Sequence, residues 1–325
     1  MTAPREHPVG PWLVALGAGL WGTESAWRIP LNDVLSADVL VLWEHVILVV
    51  CALPLVIPRL GELRRVSPGA LAWLVFSGLA GSALGAWLFT LGLKHGNPTV
   101  TNIVLNSQPL LSTTAAALLF GDRLARGFYP WAAVAVIAGV LLVVLAPAGA
   151  SADGPTRAVY LGTGFGLATA LCWGLSTVAG RRVMVEMSLP LASGLRVVIG
   201  LVGMIVLVAA RGELTWASLW PAAAAAAPGK VALWLVLLST LSGGVPLLIY
   251  FKGLELTRAS TAGYFEMMQT VVALVITWGF FDAALGVGQS VAAIALVGAV
   301  ALVQRAQAHT ALPYVAPDAT AGAAP

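Results

Sequence analysis

The stretch Leu20-Trp21-Gly22, with Ser36 and Glu44 downstream of it, returns as Cys172-Trp173-Gly174, Ser188 and Arg196, all at an offset of 152 residues. Trp73, Gly92-Leu93 and Gln108 return as Trp234, Gly253-Leu254 and Gln269 at an offset of 161. Ala133 and Gly139 return as Ala292 and Gly298. Each copy carries five apolar spans. Five is odd, so the second copy enters a bilayer upside down relative to the first. Inverted repeats of this kind are the build of secondary transporters.

Composition excludes a soluble domain. Of 325 residues, 59% are hydrophobic and only 10% charged, with a mean hydropathy of +0.91; soluble domains carry about 25% charged residues. A hydrocarbon core of about 30 Å needs roughly 20 apolar residues per crossing. Ten spans are predicted, at 11–30, 37–57, 69–92, 98–120, 129–147, 158–179, 189–210, 230–251, 259–281 and 286–304. The fold class is therefore all-α integral membrane, ten transmembrane helices as two inverted five-helix repeats around a central cavity. Residues 1–148 form the first repeat, 149–157 an outer linker, 158–305 the second, and 306–325 a flexible cytoplasmic tail. The first span has no charged leader region and no cleavage site, so it is read as retained.

Basic residues set the orientation. With the N-terminus inside, eleven fall in inner segments (Arg5, Arg59, Arg64, Arg65, Arg123, Arg126, Arg181, Arg182, Lys252, Arg258 and Arg305). Five fall in outer loops: Arg28, Lys94, Arg157, Arg211 and Lys230. That excess puts both termini in the cytoplasm of a cell-membrane protein. The net charge of +3 is spread along membrane edges, so nucleic acid is not a partner. Cys51 and Cys172 lie inside spans and report no redox compartment.

Pro109 interrupts the fourth span beside Asn102 and Asn106. Its mate is Thr270, so the kink is expected in one half only. Gly78, Gly81 and Gly85, and Gly162 and Gly166, stand at helical spacing and predict close helix packing. The segment from Arg211 to Gly229 reads as a connector dipping into the interface beside Trp216 and Trp220.

With Leu20-Trp21-Gly22 and Cys172-Trp173-Gly174, with Gln108-Pro109-Leu110 followed by Phe120-Gly121-Asp122-Arg123-Leu124, and with Leu195-Arg196, the chain resembles the EamA-type family of the drug/metabolite transporter superfamily. The likeness covers nearly everything but the two tails. It implies ten helices in two inverted halves around a cavity, moving small metabolites, often outward, on an ion or solute gradient. It departs at Glu44-His45, where such proteins often carry arginine. It departs again at Phe280-Phe281-Asp282-Ala283-Ala284, which lacks the basic residue.

A charge at mid-bilayer costs roughly 2.5–3.5 kcal/mol on insertion scales, so in-span ionisable residues tend to face an aqueous interior. Glu24, Glu44, His45, Arg196 and Glu266 are such residues. Glu44 and Arg196 are repeat mates of opposite charge. Arg196 suits a carboxylate and Glu44 an amine or a proton; helix-closing ion pairs are the structural alternative. Glu266 stands one turn from Gln269, which mirrors Gln108. The paired amides suit cavity walls, and Glu266 suits proton exchange or a bond to a neighbour such as Tyr264. Glu24 either pairs with Arg28 four residues on, near the outer boundary, or lines the cavity one turn beyond Trp21. Trp21 and Trp173 offer ligand-binding faces or simple packing. The candidate substrate and proton site is thus Glu44, Arg196, Glu266, Gln269, Gln108, Glu24, Trp21 and Trp173. His45 points elsewhere than its neighbour Glu44.

These residues predict a secondary transporter exporting small organic metabolites such as amino acids by alternating access. It would have a small-molecule substrate and the lipid bilayer as partners, protons as a possible coupling ion, and no cofactor. Efflux of lipophilic cations is the alternative, because three in-span glutamates face one arginine. The same excess argues against anions. An integral-membrane enzyme would need a metal set or nucleophile pair, and no H-E-x-x-H occurs; an adaptor or receptor would leave the interior charges without purpose. No phosphate-binding G-x-x-x-x-G-K-[ST] loop is present, which argues against a primary pump.

Overall fold

The computed structural model describes residues 8–145, 155–257 and 265–308. Residues 149–154 of the predicted linker, 309–325 of the predicted tail, Arg258 and Tyr264 lie outside these. The chain is all-helical, and the reason is the solvent. In lipid, backbone N–H and C=O groups find no water, so each helix must satisfy its own. Among the described residues, seven helices are long and apolar enough to cross a membrane: 37–65, 68–95, 98–120, 157–183, 189–210, 228–254 and 287–307. Shorter apolar helices cover Phe128–Val144 and Met268–Phe280. This is a multi-pass membrane protein.

Several of these rods are broken at set places. The chain begins with α1 (Gly10–Gly22) and α2 (Glu24–Asn32), separated at Thr23. Then come α3 (Ala37–Val56) and a 3₁₀ segment (Ile57–Arg65). A π segment (Gly78–Gly85) joins α4 (Pro68–Ser77) to α5 (Ala86–His95). Next are α6 (Pro98–Leu105), α7 (Gln108–Phe120), α8 (Phe128–Val144), α9 (Pro155–Val183) and α10 (Leu189–Ala210). Two short helices follow, α11 (Trp216–Leu219) and α12 (Ala222–Ala225). A second π segment (Thr240–Gly244) joins α13 (Pro228–Ser239) to α14 (Val245–Glu255); α15 (Met268–Phe280) and α16 (Val287–Ala308) complete the fold.

Breaks free carbonyls, and local side chains answer them. The Thr23 hydroxyl donates to the Leu20 carbonyl at 2.6 Å and lies 2.8 Å from the Ser242 hydroxyl of the second π segment. At the α6–α7 break, the Asn106 amide donates back to the Asn102 and Ile103 carbonyls. Pro109 opens α7 rather than bending a continuous helix. The ninth span is also interrupted, by a turn at Met267, although no proline stands there. The expectation of a kink in one half only is therefore corrected. Unsatisfied carbonyls and a packing partner suffice to hold a break once neighbours supply donors.

Helix starts follow ordinary capping rules. Ser36, Ser67 and Asn97 cap α3, α4 and α6 by accepting from the amides of Val39, Ala70 and Val100, as short polar side chains do. Gly121, at φ 71°, ends α7 in the left-handed region that glycine tolerates without strain.

Packing places α9 against α4, α5, α6, α7 and the first π segment, and α1 against α14 and α15. α3 lies along α10, and α8 along α16. The α8–α16 seam is built from Ala135, Ala138, Ala292 and Ala299 around Leu142 and Leu296, small residues that let helices approach closely without a hydrophobic driving force. Outward, α8 and α16 expose Val136, Ile137, Val140, Val291 and Ile294, a surface suited to acyl chains. The connector caps one end of the bundle: Ala224 is fully buried, and Trp43 donates to the Leu219 carbonyl at 2.9 Å while meeting Trp220 edge-on. At another edge, two carboxylates clasp opposing loops. Glu186 accepts from the Ser67 amide and hydroxyl at 2.7 and 2.9 Å, and Glu62 accepts from the Ser188 amide and hydroxyl at 2.9 and 2.8 Å.

Candidate functional site

The first cluster centres on Arg28, which is fully buried. One guanidinium nitrogen donates to both Glu44 oxygens at 2.8 Å and also to Glu24. The other donates to the Thr90 hydroxyl at 2.7 Å, and the guanidinium lies 5.8 Å from the Phe89 ring centre. The Glu24–Arg28 pair expected from sequence is present, but its place is corrected. Arg28 is interior, not in an outer loop, because two carboxylates and a hydroxyl satisfy it there. Its loop assignment followed from the positive-inside tally; its spacing from Glu24 and its position inside the 11–30 span were the signals for the interior.

Glu44 therefore turns toward α2. It makes no hydrogen bond or ion pair with its repeat mate Arg196. His45 points another way, with Nδ1 2.8 Å from the Val41 carbonyl and Nε2 2.9 Å from the Ser82 hydroxyl of the first π segment. A carbonyl only accepts, so Nδ1 carries the proton and Nε2 accepts from Ser82.

Around Arg196 the arrangement is different. Trp173 donates from its indole to the Gly81 carbonyl at 2.9 Å and packs against Phe89 with ring centres 5.6 Å apart. Ser77 and Ser176 bond across the same seam at 2.8 Å. A Cβ built on Gly81 would lie 3.0 Å from an Arg196 guanidinium nitrogen. The Arg196 head thus sits where α9, α10 and the first π segment meet. It is partly exposed, and makes no hydrogen bond or ion pair among the described residues.

Glu266 finds its partners on other helices. Tyr250 on α14 donates to one of its oxygens, and Gln304 on α16 to the other at 3.4 Å. Trp21 lies over Tyr250 with ring centres 5.0 Å apart. Tyr250 and Gln304 were not singled out in the sequence, since nothing local ties them to Glu266. Gln108 and Gln269 are partly exposed and make no side-chain hydrogen bond among the described residues. Asn102 and Asn106 do bond across helices, to Ser25 at 3.1 Å and Thr270 at 2.6 Å. A cleft of about 440 Å³ opens beside the Ser67–Glu186 clasp, lined by Trp73, Phe120 and Arg182 among others; none of the sequence-predicted site residues lines it.

Comparisons with known proteins agree with this build. The model of the EamA-like transporter family matches residues 9–145 and again 160–305. The chain is 26% identical over 198 residues to "Riboflavin transporter ImpX" of Fusobacterium nucleatum subsp. nucleatum, a match covering 58% of this chain. It spans 64% of that relative's length. A protein of known crystal structure shares the fold at 20% identity with a TM-score of 0.54, over 91% of this chain and 96% of that one. With both halves matched by one family model, this chain belongs to the EamA-like transporter family.

Proposed function

We propose that this protein is a secondary transporter exporting small organic metabolites, amino acids and related carboxylates among them, by alternating access. Its ten spans form two inverted halves, with both termini cytoplasmic. Three features support the architecture. The offset of 161 carries the first π segment, Gly78–Gly85, onto the second, Thr240–Gly244. It carries the break at Asn106 onto that at Met267. Adjacencies between the copies also match, α9 of the second against α4 and α5 of the first, and α1 of the first against α14 of the second. With Arg28 in the interior, the basic tally becomes eleven inside against four outside, which favours the same orientation.

The observation that carries the reading is the set of Arg196, Gln108 and Gln269, polar heads within the spans that are partly exposed and unpartnered among the described residues. A polar head left so in lipid is costly; facing a wet interior between the halves, it is solvated and ready for a ligand. Trp21 and Trp173 are assigned to the walls of this interior. Glu24 and Glu44 share one guanidinium, leaving one negative charge that a proton neutralises. Glu24–Arg28–Glu44 is accordingly assigned to proton coupling, with Glu266 beside Tyr250 as the second carboxyl. Efflux of lipophilic cations has less support, because every in-span glutamate is already engaged.

Counterflow in proteoliposomes tests the reading. Vesicles preloaded with an amino-acid or carboxylate mixture should accumulate labelled tracer above protein-free controls, and an imposed pH gradient should change the rate in the parent but not in Glu24→Gln/Glu44→Gln. No tracer movement with any small organic solute would end it.

A further inference from the structure

We infer that the transported solute is a net anion whose carboxylate is taken by Arg196, and that this residue determines specificity. The inference rests on the transporter reading above and narrows its substrate class.

The argument begins with a comparison of the two halves. At the offset of 152 residues, Glu44 corresponds to Arg196, Arg28 to Gly180, and Glu24 to Ser176. The first half thus places a carboxylate on one helix and its neutralising guanidinium on the next. The second half reverses the sign of the first member and deletes the second. A Cβ on Gly180 would meet no atom within 4 Å, and the Ser176 hydroxyl is spent on Ser77. Among the described residues no carboxylate reaches Arg196: Glu44 is held by Arg28, and Glu266 by Tyr250 and Gln304. His45, the titratable neighbour on α3, has both ring nitrogens engaged.

A half-buried charge within a span and without a protein partner is costly, and an ion from outside can supply the partner. What completes Arg196 is an anion. A planar, two-oxygen group fits the guanidinium fork best, through two parallel hydrogen bonds. Trp173, bonded to the same Gly81 that the guanidinium approaches, offers apolar contact for the body of such a molecule. An ammonium group finds no equivalent. Every described in-span carboxylate would have to give up a protein partner to receive it, so zwitterions and cations pay a desolvation cost that anions escape. With Arg28 in the interior count, the acidic excess that argued against anions falls to three glutamates against two arginines. Those glutamates are engaged elsewhere, and the unmatched charge beside the seam is positive.

Three probes with one phenyl-ethyl skeleton separate the possibilities: 3-phenylpropionate, phenylalanine and phenethylamine. Thermal unfolding of the detergent-solubilised full-length protein reads binding, and counterflow of each labelled probe reads transport. 3-Phenylpropionate should raise the unfolding midpoint most, phenylalanine less and phenethylamine not at all. In Arg196→Gln the 3-phenylpropionate shift should vanish. In Arg196→Lys, which keeps the charge but not the fork, the probe should bind at least tenfold more weakly at an unchanged ligand-free midpoint. Equal or greater stabilisation by phenethylamine, an undiminished 3-phenylpropionate shift in both variants, or no shift with any probe overturns the assignment. Counterflow of the amine without the carboxylate would sink the anion assignment while leaving the transporter reading intact. Binding through Arg196 with no counterflow of any solute would do the reverse.

Discussion

Arg28 shows how much hangs on one side chain. It joins α2, α3 and α5 through Glu24, Glu44 and Thr90, all in the protein interior. Removing one partner of a buried ionic group leaves charge uncompensated and typically costs about 3–5 kcal/mol. Arg28→Met should therefore lower the thermal midpoint sharply, while the neutral triple variant Glu24→Gln/Arg28→Met/Glu44→Gln should recover most of the loss. If the triple variant were as unstable as the single, the charges would not be the cause. Glu24, Glu44, Arg196 and Glu266 were legible in the sequence as interior residues from hydropathy alone. Apart from Arg28 for Glu24, their partners were not. Arg28 reaches Glu44 across 16 residues and Thr90 across 62, and Tyr250 meets Glu266 across 16. Periodicity describes one helix at a time and carries no record of which neighbour it meets.

At the scale of the element, the π segments are the points where helices are pressed together. A Cβ on Gly81 would fall 2.4 Å from the Ser176 Cβ and 2.1 Å from its hydroxyl, both beneath contact distance. Gly81→Ala should destabilise by about 1–3 kcal/mol, the usual range for overpacking. Adding Ser176→Gly removes both clashing atoms and should restore much of the midpoint, although it also forfeits the Ser77 bond. A failure of that rescue would show that the π geometry itself, not the crowding, requires glycine. The small-residue spacing at Gly78, Gly81 and Gly85 was readable as close packing. The π winding was not, because it depends on where Trp173 and Ser176 of α9 press in. The break in the ninth span escaped for a similar reason: Pro109 announces its own break, whereas Met267 carries no such mark.

At the scale of the molecule, the Ser67–Glu186 and Ser188–Glu62 clasps tie the loop after the 3₁₀ segment to the loop between α9 and α10. Each carboxylate takes a backbone amide and a hydroxyl, and charge-assisted bonds of this kind are among the stronger ones. Glu62→Ala/Glu186→Ala should let the Ser67 and Ser188 amides exchange hydrogen roughly tenfold faster, with transport altered if the halves part at this seam. Unchanged exchange at both amides would show that the clasps restrain nothing. The apolar helices of a multi-pass membrane protein and the duplication that one family model matches twice were open to reading from the sequence. Glu62 and Glu186 were not, since each meets its serine across more than a hundred residues.

The offset between the copies grows from 152 to 161 between Arg196 and Trp234, so nine residues are added there, and α11 and α12 occupy that stretch. Two identical halves would leave a carrier indifferent, resting open to either face with equal ease. This chain is not symmetric in that sense. One copy carries α11 and α12, seated on Trp43 through Leu219 and Trp220, where the matching stretch of the other holds the 3₁₀ segment Ile57–Arg65. On the proposed alternating-access reading, the energy of that added contact falls on a single half of the cycle, and the resting molecule favours one compartment before any solute or gradient acts on it.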